Sequence, residues 1–249
     1  MAPFVDHYSS AAGQYARYRP RYPDALFAWL ASVAPNRRLA WDCGTGSGQA
    51  AVAMAAHFAH VVATDPSTAQ LAHAERGRAV SYAAMTAERA ALTAASVAVV
   101  TVAQALHWFD RPGFYAEVRR VLAPGGVLAV WSYGLCTFGD DALDAAVRRF
   151  HGETVGPFWP PERTLVDEGY VGLELPFAEL SAPLLTMEAW WTLEQFAGYL
   201  STWSAVQRAR ASTGTDSLPG FVQTLRERWG AGESARRIKW PLVLRAGRA

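Results

Sequence analysis

Five short apolar runs, Leu39–Cys43, Val61–Asp65, Val80–Ala84, Val97–Val102 and Val127–Trp131, punctuate the first half of the chain and are separated by turn-rich breaks. Ala-rich stretches of helical character lie between them, at Gln49–Phe58, Ser67–Arg76 and Phe114–Leu122, the last closed by Pro124-Gly125-Gly126. A run that is apolar on every residue belongs to a strand buried on both faces. Strands that alternate with helices are joined by crossovers into a parallel sheet. The sequence therefore predicts an α/β, doubly wound fold. A strand near Leu173–Leu180, a helical segment near Leu193–Arg210 and a final strand near Ile238–Arg245 complete the pattern.

The flanks carry different signals. Phe4, Tyr8, Tyr15, Tyr18 and Tyr22 fall at helical spacing, so an aromatic-faced helix ending near Pro20 is expected as a lid. A second helix should follow, with Pro23 in its first turn, Leu26, Phe27, Leu30 and Val33 on one face, and Pro35 as its stop. From Ser132 to Arg163 glycines and the cluster Pro157-Phe-Trp-Pro-Pro161 read as loops over a site.

Charge narrows the classes of partner. With 23 Lys+Arg against 22 Asp+Glu the net charge is +1, so no overall field collects nucleic acid or an anionic membrane. The uncharged run Ala90–Phe109 is interrupted by Thr93, Ser96, Thr101, Gln104 and His107, and reads as a buried strand rather than a membrane span. No export signal is read near the start, and Cys43 and Cys136 stand alone, which predicts a reducing, cytoplasmic setting with neither disulfide nor metal.

The most informative stretch is Asp42-Cys-Gly44-Thr-Gly46-Ser-Gly48-Gln49, where a buried strand runs through a glycine turn into a helix. Such a turn brings backbone close to a ligand. A dinucleotide fingerprint G-x-G-x-x-G counted from Gly44 needs glycine at position 49, where Gln49 stands, so a nicotinamide-dependent oxidoreductase has weak support. Asp42, two residues before the first glycine, would repel a pyrophosphate and suits a ligand bearing an ammonium group. The alternative for Asp42 is a carboxylate that holds the turn together. Asp65 closes the second apolar run, where an acid can accept both hydroxyls of a ribose, and it can also cap the helix that follows Pro66-Ser67.

Taken with Ala87-Glu88, Ala103-Gln-Ala-Leu-His-Trp-Phe-Asp110 and Leu122-Ala-Pro-Gly-Gly126, these residues resemble the ordered motif set of class I S-adenosylmethionine-dependent methyltransferases. Tyr15-Ala-Arg-Tyr-Arg-Pro-Arg-Tyr-Pro23, Phe158-Trp-Pro-Pro-Glu-Arg163 and Tyr199-Leu-Ser-Thr-Trp-Ser-Ala205 further resemble a small-molecule subgroup similar to trans-aconitate methyltransferase. The resemblance implies a seven-stranded sheet in the order 3-2-1-4-5-7-6 with the last strand antiparallel. It implies one domain: residues 1–35 a helical lid, 36–134 the half that holds S-adenosylmethionine, and 135–249 the segments that cover the substrate and supply the final strands. Cofactor contacts are implied for Asp42, Gly44, Thr45, Gly46, Gly48 and Gln49 at the methionine part, and for Asp65, Pro66 and Gln70 around the ribose. Ala87 and Glu88 would lie at the adenine, Ala103 and Gln104 on the sulfonium side, and Tyr15 and Arg19 in a flap above.

The acceptor is expected to be a small metabolite, methylated on oxygen, a carboxylate before others, or on nitrogen. An aromatic heterocycle is the alternative, and a cofactor-binding protein without turnover stands as a reading of another class. His107 is the best-placed base for an acceptor that must lose a proton, although a structural histidine is the default reading in that loop. Trp108, Trp131, His151, Trp159 and Trp203 are the candidate acceptor-pocket residues, with core packing the default for most tryptophans.

Overall fold

In the computed structural model, residues 18–230 and 234–249 are described. The strands are β1 (Leu39–Cys43), β2 (His60–Thr64), β3 (Val80–Ala83), β4 (Val97–Ala103), β5 (Leu122–Tyr133), β6 (Ala178–Glu179), β7 (Leu185–Trp191) and β8 (Arg236–Arg248). The α-helices are α1 (Asp24–Val33), α2 (Gln49–Met54), α3 (Thr68–Ala72), α4 (Arg111–Val121), α5 (Asp141–Arg149), α6 (Thr164–Asp167), α7 (Leu193–Ser201), α8 (Ser204–Thr213) and α9 (Leu218–Trp229).

All eight strands form one sheet in the order β3-β2-β1-β4-β5-β8, with β7 and the two-residue β6 both paired along the outer edge of β8. β1 to β5 are parallel and β8 runs antiparallel to its neighbours. With β6 set aside, this is the expected order 3-2-1-4-5-7-6. Parallel register aligns the strand ends: Cys43 pairs with Thr64, Thr64 with Ala83, and Ala103 with Trp131. The loops leaving β1, β2, β3, β4 and β5 therefore emerge along one edge, where an open α/β sheet binds its ligands.

Two apolar layers cover the sheet. Leu26, Phe27, Met54, Trp131, Phe196 and Trp240 belong to one, and Trp41, Phe114, Val130 and Tyr170 to the other. β4 is buried at six of its seven positions, as its unbroken apolar run requires.

Several expected boundaries move. α2 ends at Met54, where the chain turns so that Phe58 can reach the core, and α3 ends at Ala72. Pro124-Gly125-Gly126 lies inside β5 instead of closing a helix, with Gly125 at φ +72°. The strand expected near Leu173–Leu180 shrinks to Ala178–Glu179, and the helical segment Leu193–Arg210 breaks into α7 and α8 because Trp203 is extended. The loop-like region 132–163 contains α5, capped by the Asp140 carboxylate. β7 and α9 carry no counterpart in the sequence reading, since β7 is an edge strand with half its side chains in solvent. The proposed lid helix lies largely outside the described residues. No described helix is long and apolar enough to cross a membrane.

Candidate active site

The glycine turn takes its shape from left-handed backbone at Gly44, Gly46 and Gly48, with φ of +69°, +53° and +79°. The amides of Gly44 and Thr45 both donate to the Thr64 carbonyl, at 2.8 and 2.9 Å, which pins the turn to the end of β2. A Cβ on Gly44 would stand 2.7 Å from Ala105 Cβ, and one on Gly48 would overlap the Tyr82 hydroxyl. At Gly46 nothing lies within 4 Å of that point. Packing thus demands the outer two glycines, while the middle one borders open space.

Two acids serve this turn differently. Asp42 is fully buried, and its oxygens accept the Thr45 hydroxyl at 2.6 Å and the Thr101 hydroxyl at 2.8 Å. Of the two readings of Asp42, this geometry matches the carboxylate that holds the turn together. Burial pushes its pKa from 3.8 up to about 6, against the opposing pull of the two hydroxyls. Between those values the folded protein holds a proton that the unfolded chain has lost, so stability falls as pH rises through that window. Asp42→Asn is expected to flatten the fall, as measured by urea unfolding at pH 4, 5 and 6; an unchanged slope would assign it to another group.

Asp65 is half-buried beside Gly46. One oxygen accepts the Gly46 amide and the other the Ser67 amide, both at 2.9 Å. A carboxylate offers about four lone-pair sites over its two oxygens. The cap of α3 is the Ser67 hydroxyl, which accepts the Gln70 amide at 3.2 Å, so the capping role considered for Asp65 falls to Ser67. Gln70 itself is buried, and its side-chain oxygen has no hydrogen-bond partner among the described residues. The open space at Gly46, with a carboxylate beside it, fits a ligand that presents polar donors.

The end of β4 builds the next wall. Gln104 adopts φ +56°, uncommon for a residue with a side chain and frequent at functional sites. Its amide donates to the Trp131 carbonyl at 2.9 Å and its Nε2 to the Tyr133 carbonyl at 3.2 Å. Ala103 precedes it, half-buried. Across the turn, Gln49 Nε2 donates to the Pro20 carbonyl at 3.2 Å. Glu88 accepts the Asp110 amide at 3.2 Å, beside the buried Ala87.

A cleft opens beyond Gln104. Its lining includes Arg19, His107, Tyr133, Trp159, Arg163, Tyr199 and Trp203. The Arg163 guanidinium lies 4.1 Å from the Trp159 ring centroid, and that of Arg19 lies 5.5 Å from the Tyr199 ring. His151 sits in a π-helical turn, its ring 4.9 Å from Trp159 and 5.4 Å from Trp203. Burial, then the Arg163 charge, lowers its pKa to about 4, so it is neutral at physiological pH.

The structure thus gathers Gln104, His107, Trp159 and Trp203 with Arg19 around one cleft, and Gly44, Gly46, Gly48 and Asp65 around the turn. Trp131, Trp108 and His151 are not among the residues that line this cleft. Trp131 has no exposure and packs into the core against Tyr22 and Phe27, at 5.5 and 6.3 Å between ring centroids, which matches the core-packing default for tryptophan. Trp108 is half-buried with its ring against His107 and outside the cleft lining. Tyr15 lies outside the described residues. Tyr133, which sequence reasoning did not single out, lies two residues past the fifth apolar run; the strand-end position was its only signal.

Comparison with known proteins gives this architecture a lineage. A family model described as a methyltransferase domain matches residues 41–130. A Dictyostelium discoideum protein named "Putative methyltransferase" is 36% identical over 226 residues, covering 89% of this chain and 86% of that one. An "Uncharacterized methyltransferase" of Mycobacterium tuberculosis is 39% identical over 127 residues, half of each chain. The solved structure of a "Putative Type II Methyltransferase" from Anaeromyxobacter dehalogenans is 48% identical, covers 93% of this chain and 98% of its own, and superposes with a TM-score of 0.86. The chain belongs to the class I methyltransferases that use S-adenosylmethionine as methyl donor.

Proposed function

We propose that this methyltransferase acts on an oxygen of a small metabolite, a carboxylate oxygen before others, and that it belongs with the subgroup similar to trans-aconitate methyltransferase. The observation that carries the reading is a cleft at the ends of β4 and β5 with two guanidiniums among its walls, Arg163, which also meets Asp167 at 3.2 Å, and Arg19, which this reading gives to the acceptor instead of to the flap over the cofactor. Guanidinium recognises carboxylate with a matched planar fork of donors. In this reading residues 36–134 hold the donor and 135–249 cover the acceptor, within one domain.

Bound S-adenosylmethionine supplies an electrophilic methyl group on a sulfonium. The turn from Gly44 to Gly48, with Thr45 and Gln49, would receive its amino-acid end. Asp65, with Pro66 and Gln70, would receive the ribose, Ala87 and Glu88 the adenine, and Ala103 and Gln104 the sulfonium side. Asp42 acts behind them by holding Thr45. The protein's remaining tasks are to orient the acceptor in line and to exclude water, and the aromatic walls of Trp159, Tyr199 and Trp203 suit both.

A carboxylate is already ionised, so no base is needed. His107→Ala is therefore expected to change kcat by less than about tenfold, whereas loss of a true general base removes about 10²–10⁴-fold. A drop of that larger size would favour the second reading, methylation of a phenol or ring nitrogen against the aromatic wall of His151, Trp159 and Trp203. The reading as a whole is tested by incubating the protein with methyl-labelled S-adenosylmethionine and either trans-aconitate or a metabolite extract, followed by mass spectrometry. A labelled methyl ester supports it. Label confined to nitrogen, or to macromolecules, overturns it.

A further inference from the structure

We propose that Glu75, a residue outside the acceptor cleft, is a positioning residue that fixes Arg19 inside it by gripping Arg21. The inference rests on the reading of that cleft as the acceptor site. Four consecutive residues make the connection. The Tyr18 ring seats on Gly198 of α7, where a Cβ would stand only 2.6 Å from it. Arg19 donates to the Tyr133 hydroxyl at 2.8 Å and to the Thr202 carbonyl at 3.2 Å. The Pro20 carbonyl accepts Gln49 Nε2, and Arg21 meets Glu75 through two parallel bonds, Nη2 to Oε1 at 2.6 Å and Nη1 to Oε2 at 3.2 Å. Residues 18 and 19 thus belong to the acceptor side, and 20 and 21 to the glycine-turn side.

Glu75 is a firm anchor because its backbone is already committed. Its amide donates to the Ser47 carbonyl at 2.9 Å and its carbonyl accepts the Tyr82 hydroxyl at 2.5 Å. The Tyr82 ring in turn backs Gly48. Between the anchors, Pro20 has a ring-locked φ, so a displacement of Arg21 is passed on to Arg19 with little slack. The fork geometry of the Arg21–Glu75 pair selects one orientation of the segment, which a single hydrogen bond would not do. Its strength is modest: the Arg21 side chain is 68% exposed and that of Glu75 28%, and exposed pairs contribute at most about 1 kcal/mol, a factor of about five.

The test uses the full chain saturated with S-adenosylhomocysteine. Hydrogen exchange at the amides of Arg19, Arg21 and Tyr22 is expected to quicken about fivefold in Glu75→Gln, and more in Glu75→Arg, and to recover in the charge-swapped Arg21→Glu/Glu75→Arg protein. Affinity for S-adenosylhomocysteine should stay within twofold, since the Glu75 backbone bond to Ser47 is untouched. With the acceptor found as above, KM for the acceptor should rise about fivefold at unchanged kcat in Glu75→Gln. Added salt should raise it more steeply in the wild type than in Glu75→Gln, where only the attraction between acceptor and guanidinium remains to be screened. Unaltered exchange in Glu75→Gln overturns the proposal, as does an unaltered acceptor KM, or a cofactor affinity that falls in step with it. Exchange that responds as expected while no small acceptor is methylated would fault the acceptor reading and leave the grip itself standing.

Discussion

Trp131→Ala is expected to destabilise the protein by about 3–5 kcal/mol, the range for emptying a large aromatic site in a packed core. Trp131 stands on β5, the strand between β4 and β8, with no exposed surface and with Tyr22 and Phe27 edge-on to its ring. Domains of this kind are held by about 5–15 kcal/mol in all, so the change removes a large share. Urea unfolding should show a lower midpoint at an unchanged slope. Trp131→Phe should cost far less, because the indole N–H has no hydrogen-bond partner among the described residues and phenylalanine leaves none to satisfy. If Trp131→Ala unfolded like the wild type yet lost acceptor turnover, the residue would return to the pocket.

Asp65→Ala is expected to weaken S-adenosylhomocysteine binding about 100-fold. Two contributions add. Hydrogen bonds to an ionised acceptor are worth about 1.5–3 kcal/mol each, and the ribose would lose its partners. The Gly46 amide would also lose the oxygen that orients it at 2.9 Å. Asp65→Asn keeps one carbonyl oxygen for the turn and should lose less. Titration calorimetry on the folded variants reads the difference; an unchanged affinity in Asp65→Ala would place the ribose elsewhere.

The parallel half of the fold was legible because strands buried on both faces leave continuous apolar runs that no other element explains. That same property hid the facing of Trp131. On a strand whose two sides are both buried, composition does not say whether a tryptophan meets the core or a ligand. β7 was hidden for the opposite reason, since its pattern, Leu185-Thr-Met-Glu-Ala-Trp-Trp191, is broken by Thr186 and Glu188 on its exposed face and sits outside the apolar rhythm. The glycine turn and both acids could be picked out by residue type and spacing. The choice between the two roles of Asp42 could not, because it depends on Thr101, 59 residues away. The cleft was harder still. Arg19 meets Tyr133 and Thr202 across 114 and 183 residues, and no local pattern reports contacts at that range.

The close approach of Gly44 to Ala105 and Phe109 has a bearing on how metabolites come and go. With no side chain between them, the loops after β1 and β4 are keyed together like two blocks of masonry, and neither can swing without dislodging the other. In the reading proposed above, admission and discharge would then fall to the segments 135–249. Changes in those segments would then retune what is let through while the foundation beneath the donor stays as it was.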